Sequence, residues 1–310
     1  METSSENNSV EFEKLYTKLS NEFMGELQSL RKKFLIGLII DIILFFIVFF
    51  LFFSVSALLG VVLGICFIVL TVFVIKSGKK YDLTYKTNII GNFVKLISNK
   101  LNYEPRPANI SQVRNFYDLS GFNTQPYDNF SADDYIYGYI NDNVFIELYD
   151  LSISRTETDS DGHTYSVTVF NGLFLINSSL KNINSCVKIT LNKTNFFKSK
   201  QKVDIDSSTF EKYFDVYSEN EILTMRILTP DVLNAIVDFT NKAKMKFEIT
   251  FKNDKIFFRF FTGPMFVPSV FKNPMDRKSL QSYCTILNFI KEISTLTNNV
   301  INDLEIWSKF

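Results

Sequence analysis

The chain has 310 residues, enough for two structural units, and its charge is balanced at 33 basic against 33 acidic residues. That balance gives no electrostatic case for nucleic acid as a partner, for which a basic surplus on one face is expected. Three cysteines, Cys66, Cys186 and Cys284, stand far apart and the one histidine, His163, stands alone; no disulfide framework, zinc site or His-rich metal site is spelled out, and a reducing compartment is the simplest reading.

Glu11 to Lys33 predicts an amphipathic helix. Phe12, Leu15, Tyr16, Leu19, Phe23, Leu27 and Leu30 recur at spacings of three and four, which puts them on one stripe. From Phe34 to Ile75 the chain is nearly uncharged. As one helix, about 42 residues would run ~63 Å, roughly twice the ~30 Å hydrocarbon thickness of a bilayer. Two spans fit instead, about Phe34 to Phe53 and about Ala57 to Ile75, joined by Ser54-Val55-Ser56 at the far interface. Arg31, Lys32 and Lys33 precede the pair, and Lys76, Lys79 and Lys80 follow it. Positive flanks stay cytoplasmic, so both termini are expected in the cytoplasm. The polar stretch before Phe34 argues against a cleaved signal peptide.

Asp41 is the one acid inside this region. An ionised Asp at mid-membrane costs about 2.5–3.5 kcal/mol, less at the shallower depth of Asp41, roughly 10 Å from the cytoplasmic boundary. Folding the hairpin about Val55 brings Asp41 within a turn of Thr71, a hydrogen-bond donor. Gly37 lies one turn before Asp41, and the spacing of Gly60 and Gly64 permits close helix approach. Asp41 and Thr71 form a candidate intramembrane polar site: a proton or ion site, a polar contact between subunits, or an acid satisfied inside the helix pair. The last reading is preferred, because neither span holds a second acid or base.

Thr87 to Leu101 predicts another amphipathic helix, ended by the segment holding Pro105 and Pro107. From about Asp133 the pattern turns to strands: Tyr135 to Ile140, Val144 to Ser152, Thr164 to Ile176 with a bend at Asn171-Gly172, and Cys186 to Leu191. Thr229-Pro230 opens a helix as N-cap and first-turn proline. Lys246 to Phe251 and Lys255 to Thr262 form a hairpin about Asn253-Asp254. Ser279 to Trp307 predicts a long helix, with Ile286, Ile290, Ile293, Thr297, Val300, Leu304 and Trp307 in heptad spacing.

Signals for chemistry are few. Thr158 to His163 looks like a fragment of a calcium loop but lacks its full acid pattern, so it reads as a polar hairpin tip, with His163 solvated. Asp133 and Asp134, adjacent in a strand, point to opposite faces unless a bulge intervenes; Glu219-Asn220-Glu221 reads as a helix start. No phosphate loop, dinucleotide fingerprint, nucleophile elbow or HExxH motif is present, so no cofactor, metal or catalytic residue is assigned. Lys193, Phe196, Phe197, Lys198, Lys200 and Lys202 form the one basic-aromatic cluster, a candidate contact with anionic membrane lipid.

Several segments carry a resemblance: the paired apolar spans, Leu101 to Pro105, Asp133 to Gly138, Phe170 to Phe174, Phe210 to Ser218, and Arg226 to Pro230. In this order they resemble the bacterial membrane proteins grouped as domain of unknown function 3137. The resemblance implies a plasma-membrane protein with a cytosolic domain, and it implies no activity.

The expected fold class is α+β: an N-terminal two-span transmembrane hairpin, then a cytosolic domain with a mainly antiparallel sheet and a long C-terminal helix. The expected divisions are 1–33, a cytosolic amphipathic helix; 34–80, the hairpin; and 81–310, the cytosolic domain. The expected function is that of a non-enzymatic, membrane-anchored module binding a protein partner or the inner membrane face, with self-association through the N- or C-terminal helix as one form of partnership. The alternatives are an enzyme with a site assembled in the cytosolic domain and an accessory subunit of a transport assembly.

Overall fold

The computed structural model describes residues 2–54, 57–178, 183, 185–192 and 201–303. Contacts divide the chain into two units, Met1–Leu96 with Phe266–Ser282, and Ile97–Met265 with Tyr283–Phe310.

The first unit is built on two long helices. α1 (Glu2–Ser54) is one continuous helix of 53 residues, so the amphipathic N-terminal segment runs directly into the apolar one. α2 (Ala57–Tyr85) returns antiparallel to it; Val55 and Ser56, expected to form the turn, lie outside the described residues. Small residues set the approach. The Phe34 ring lies over Gly78, Val74 over Gly37, and Phe52 over Gly60. This register holds the helices level along their length, as packing at small residues predicts. Between residues 34 and 75 the outward side chains are apolar and exposed, among them Ile39, Ile43, Phe46, Phe50, Ile65, Val69 and Phe73. Two helices are thus long and apolar enough to cross a membrane. The polar end of α1 behaves differently: Phe12, Leu19, Leu27 and Leu30 are buried, and Phe12 packs on Phe93 at 5.3 Å.

A π-helical turn (Lys86–Ile90) leads into α3 (Gly91–Ile97). The helix expected through Leu101 therefore stops four residues early. Leu101 begins β1 (Leu101–Glu104), an edge strand, because Leu101 pairs with Gly138. Gly138 has φ +134°, and a side chain there would collide with the Lys100 carbonyl, so the strand comes this close only to glycine.

The second unit continues with α4 (Ile110–Leu119), β2 (Asn129–Tyr139), β3 (Phe145–Thr158), β4 (Thr164–Ser178), β5 (Cys186–Leu191) and β6 (Lys202–Val203). Then follow α5 (Ser208–Glu211), β7 (Phe214–Ser218), α6 (Glu221–Ile227), α7 (Pro230–Ala243), β8 (Phe247–Lys252), β9 (Lys255–Phe260) and α8 (Arg277–Asp303), which begins in the first unit. Local chemistry explains the boundaries. The Thr229 hydroxyl accepts from the Val232 N–H with Pro230 in the first turn, and α7 ends at Lys244 in the left-handed region. Asn220 caps α6 and Asn109 caps α4 in the same way. Leu304 and Trp307, expected on α8, lie outside the described residues.

The nine strands make one antiparallel sheet in the order β1-β2-β3-β4-β9-β8-β5-β7-β6. The late hairpin β8–β9 is inserted between β4 and β5, so the sheet closes only once the C-terminal third of the chain is present. On one face α4 seals an aromatic core, Tyr117 lying 5.5 Å from Phe174 and 6.0 Å from Phe170. On the other, Phe289 of α8 packs against Phe247 and Phe260, and Asn177 donates to the Ser294 carbonyl at 3.0 Å. Ile290, Ile293 and Thr297 of the heptad seam are buried this way within the chain, whereas Ile286 and Val300 stay half-exposed. The chain is α+β, with two long apolar N-terminal helices, an antiparallel sheet and a C-terminal helix.

Candidate functional site

Asp41 and Thr71 meet across the helix pair. Thr71 Oγ1 lies 2.9 Å from Asp41 Oδ1 and 3.2 Å from Oδ2, and 3.0 Å from the carbonyl of Phe67 on its own helix. The glycine register places them level with each other: Gly37 against Val74 sits one turn nearer the polar end. The segment from residue 34 to residue 75 is otherwise apolar, with no second Asp, Glu, Lys, Arg or His. The geometry gives the Asp41 carboxyl one hydrogen-bond donor from the facing helix.

Of the basic-aromatic cluster, Lys193, Phe196, Phe197, Lys198 and Lys200 lie outside the described residues. Lys202 lies on β6, at the end of the sheet, and forms an ion pair with Asp215 of β7 at 2.6 Å. The hydrogen bond to Asp215 raises the Lys202 pKa. Beside it, Gln201 donates to Glu219 at 3.0 Å on the rim of a shallow, polar depression.

The hairpin tip of β3–β4 is polar and exposed. Asp159 Oδ1 accepts from the backbone N–H groups of Asp161 and His163, at 3.0 and 2.8 Å, which shapes the turn. His163 Nδ1 is 3.5 Å from Asp159 Oδ2, and the ligand atoms of Asp159, Asp161 and His163 lie within 4.8 Å of one another.

Two arrangements in the second unit have no clear sequence signal. Asp133 and Asp134 sit on a β-bulge: the β2–β3 register shifts between Asp133 and Ile136, and Asp134 takes φ +47°. Asp134 is thereby turned into the interior, where it accepts from the Tyr103 hydroxyl. Further along the same strands Tyr135 stacks on Tyr149 at 4.7 Å, and both hydroxyls donate to Glu147, at 3.0 and 2.9 Å. Burial, reinforced by that carboxylate, pushes both phenol pKa values up.

The second arrangement is a buried ion pair. Glu248 and Arg259 are cross-strand partners on β8 and β9, and the guanidinium donates to Glu248 at 2.5 Å through both Nε and Nη2. Nη1 donates to the Phe122 carbonyl at 3.1 Å, and the guanidinium lies over the rings of Phe122 and Phe261 at 4.9 and 5.2 Å. Every face of the group is occupied, which makes it a structural clamp between sheet and α4 loop. Counting from the Asn253-Asp254 turn pairs Glu248 with Arg259; what spacing does not reveal is that the pair is buried and reaches the Phe122 carbonyl, far away in the chain.

The fold and these sites define an α+β chain with a long apolar helical pair and a buried ion pair in its sheet. The profile of the family described as "Protein of unknown function (DUF3137)" matches residues 168–298, which run from β4 into α8. Of the segments carrying the resemblance, Phe170 to Phe174, Phe210 to Ser218 and Arg226 to Pro230 fall inside the match; the apolar pair, Leu101 to Pro105 and Asp133 to Gly138 precede it. The resemblance to domain of unknown function 3137 is thus shown over those residues. No curated protein matches the chain. Among solved structures, the mycobacterial trehalose monomycolate transport factor A, TtfA, is similar at 11% identity, with 64% of this chain and 92% of that chain covered and a TM-score of 0.32. A likeness that distant carries no argument about function.

Proposed function

We propose that the chain is a bacterial plasma-membrane protein in which residues 34–80 cross the bilayer twice, both termini lie in the cytoplasm, and residues 81–310 form a cytosolic module. The module acts without catalysis, by binding a protein partner or the inner membrane face. The observation that carries this reading is the inverted polarity of α1 and α2. Over residues 34 to 75 their outward side chains are apolar and exposed, which suits lipid and not water, and lysines and an arginine stand at the same end of both helices. The hydrogen bond from Thr71 supports the reading of Asp41 as an acid satisfied inside the pair, over its use by a transport assembly. The lysines and phenylalanines from Lys193 to Lys202 remain a proposed second contact with anionic lipid.

Accessibility tests it. Cysteines placed at the exposed Asn21 and Lys278, in a chain whose Cys66, Cys186 and Cys284 are replaced by serine, are expected to react with a membrane-impermeant maleimide only after cells are permeabilised. Labelling of either position in intact cells overturns the topology.

A further inference from the structure

The stretch from Phe266 to Lys272 leaves the sheet and crosses the polar ends of α1 and α2. Two hydrogen bonds hold it there. The Tyr81 hydroxyl donates to the Ser269 carbonyl at 2.8 Å, and the Arg31 guanidinium donates to the Lys272 carbonyl. A tight turn between them is closed by the Lys272 N–H on Ser269 Oγ at 2.9 Å. The register that sets Phe34 against Gly78 and Asp41 against Thr71 makes Arg31 and Tyr81 level with each other. The loop is therefore clipped to both helices at one height.

That height is informative. Arg31 lies three residues outside the apolar stretch, about 4.5 Å along the helix. The headgroup layer on each side of a bilayer is roughly 5–8 Å thick. A loop fixed at this level lies within it. At its crest stands Phe271, 87% exposed, the most exposed of the described large hydrophobic residues, with Val267 also exposed. Within about two turns of Arg31 and Tyr81 along the helices, Lys32, Lys33, Lys76, Lys79 and Lys80 are exposed, and so is Lys272 beside Phe271. An aromatic ring held at headgroup depth among lysines has the composition of an interfacial anchor on an anionic membrane.

We infer that the Phe266–Lys272 loop is a third membrane contact, with Phe271 inserted among the headgroups of anionic lipid and Lys272 beside their phosphates. The inference rests on the reading of the hairpin as a membrane anchor and adds to it a specific point where the chain outside the hairpin grips the bilayer surface. It also fixes the height of the segment that leads into α8.

The test uses the full chain in vesicles of phosphatidylglycerol and phosphatidylcholine. Trp307, the single tryptophan, is replaced by phenylalanine, and a new tryptophan is introduced by Phe271→Trp or, as a control, by Phe46→Trp on the outer face of the first span. Phe271→Trp is expected to give blue-shifted emission that is quenched most by lipids brominated near the headgroup, and Phe46→Trp to be quenched by lipids brominated deeper. Adding Lys272→Glu is expected to lessen the shallow quenching. A quenched Phe46→Trp beside a Phe271→Trp with the unquenched emission of a water-exposed indole overturns the loop contact alone. An unquenched Phe46→Trp overturns the anchor and the loop contact with it, and quenching unchanged by Lys272→Glu removes the phosphate contact.

Discussion

Thr71 reaches Asp41 across the helix pair at 2.9 Å from a position where its hydroxyl also meets the Phe67 carbonyl at 3.0 Å. One hydroxyl proton serves one acceptor at a time, so the two acceptors compete for it. A group at position 41 able to donate to Thr71 Oγ1 would free that proton for Phe67.

Asp41→Asn supplies such a donor. We expect the variant to insert, express and fold as the parent does, measured by membrane yield and by thermal unfolding in detergent; loss of expression would count against a satisfied, non-functional acid. Thr71→Val removes the partner, and a cost of about 0.6 kcal/mol, at most about 1.7, is expected for one interhelical hydrogen bond.

Helix approach depends on glycine at one position and not at another. A Cβ on Gly60 would stand 2.9 Å from the Cα of Phe52, whereas a Cβ on Gly25 meets nothing within 4 Å. Gly60→Val is expected to push the helices apart and lower the melting temperature. Gly25→Ala is expected to leave the fold unchanged and to stabilise α1 by up to ~1 kcal/mol through helix propensity. Equal effects of the two changes would dismiss the packing argument.

The Glu248–Arg259 pair is buried, so removal of one partner leaves the other as a buried charge without its counter-ion. Arg259→Met is expected to cost about 3–5 kcal/mol, read by denaturant unfolding of the purified chain. Arg259→Lys is expected to be costly as well, because an ammonium cannot make the forked contact with Glu248 and reach the Phe122 carbonyl together. A loss below ~1 kcal/mol for Arg259→Met would place this pair with solvated surface pairs.

Burial pushes the Cys284 thiol up to about 12. At pH 8 a thiol of that acidity holds roughly one thiolate in ten thousand, and reactivity rises only as pH approaches the shifted value. Maleimide counting in detergent at pH 8 is expected to leave Cys284 unmodified until the chain is unfolded. Rapid labelling of Cys284 in the folded protein would mean that α8 separates from the body of the chain.

Features that rest on neighbours along the chain were legible from residue order alone. The nearly uncharged run from Phe34 to Ile75 defines two apolar helices because hydrophobicity and length are local sums. Thr229-Pro230 and Asn220 mark helix starts because a cap acts within three residues, and Asn253-Asp254 marks the β8–β9 turn for the same reason. Even the meeting of Asp41 with Thr71 could be read, since a tight hairpin fixes its partners by counting from the turn. Other features emerge only in the folded chain: β9 lies beside β4, Leu101 leaves its helix to pair with Gly138, and Asp134 turns inward on a bulge. The same holds for the contact of Arg259 with the Phe122 carbonyl and for the loop that Tyr81 and Arg31 hold at the base of the helices. Each of these depends on contacts between residues distant in the chain, whose free energy appears only after the intervening loops have closed and which leaves no periodicity behind.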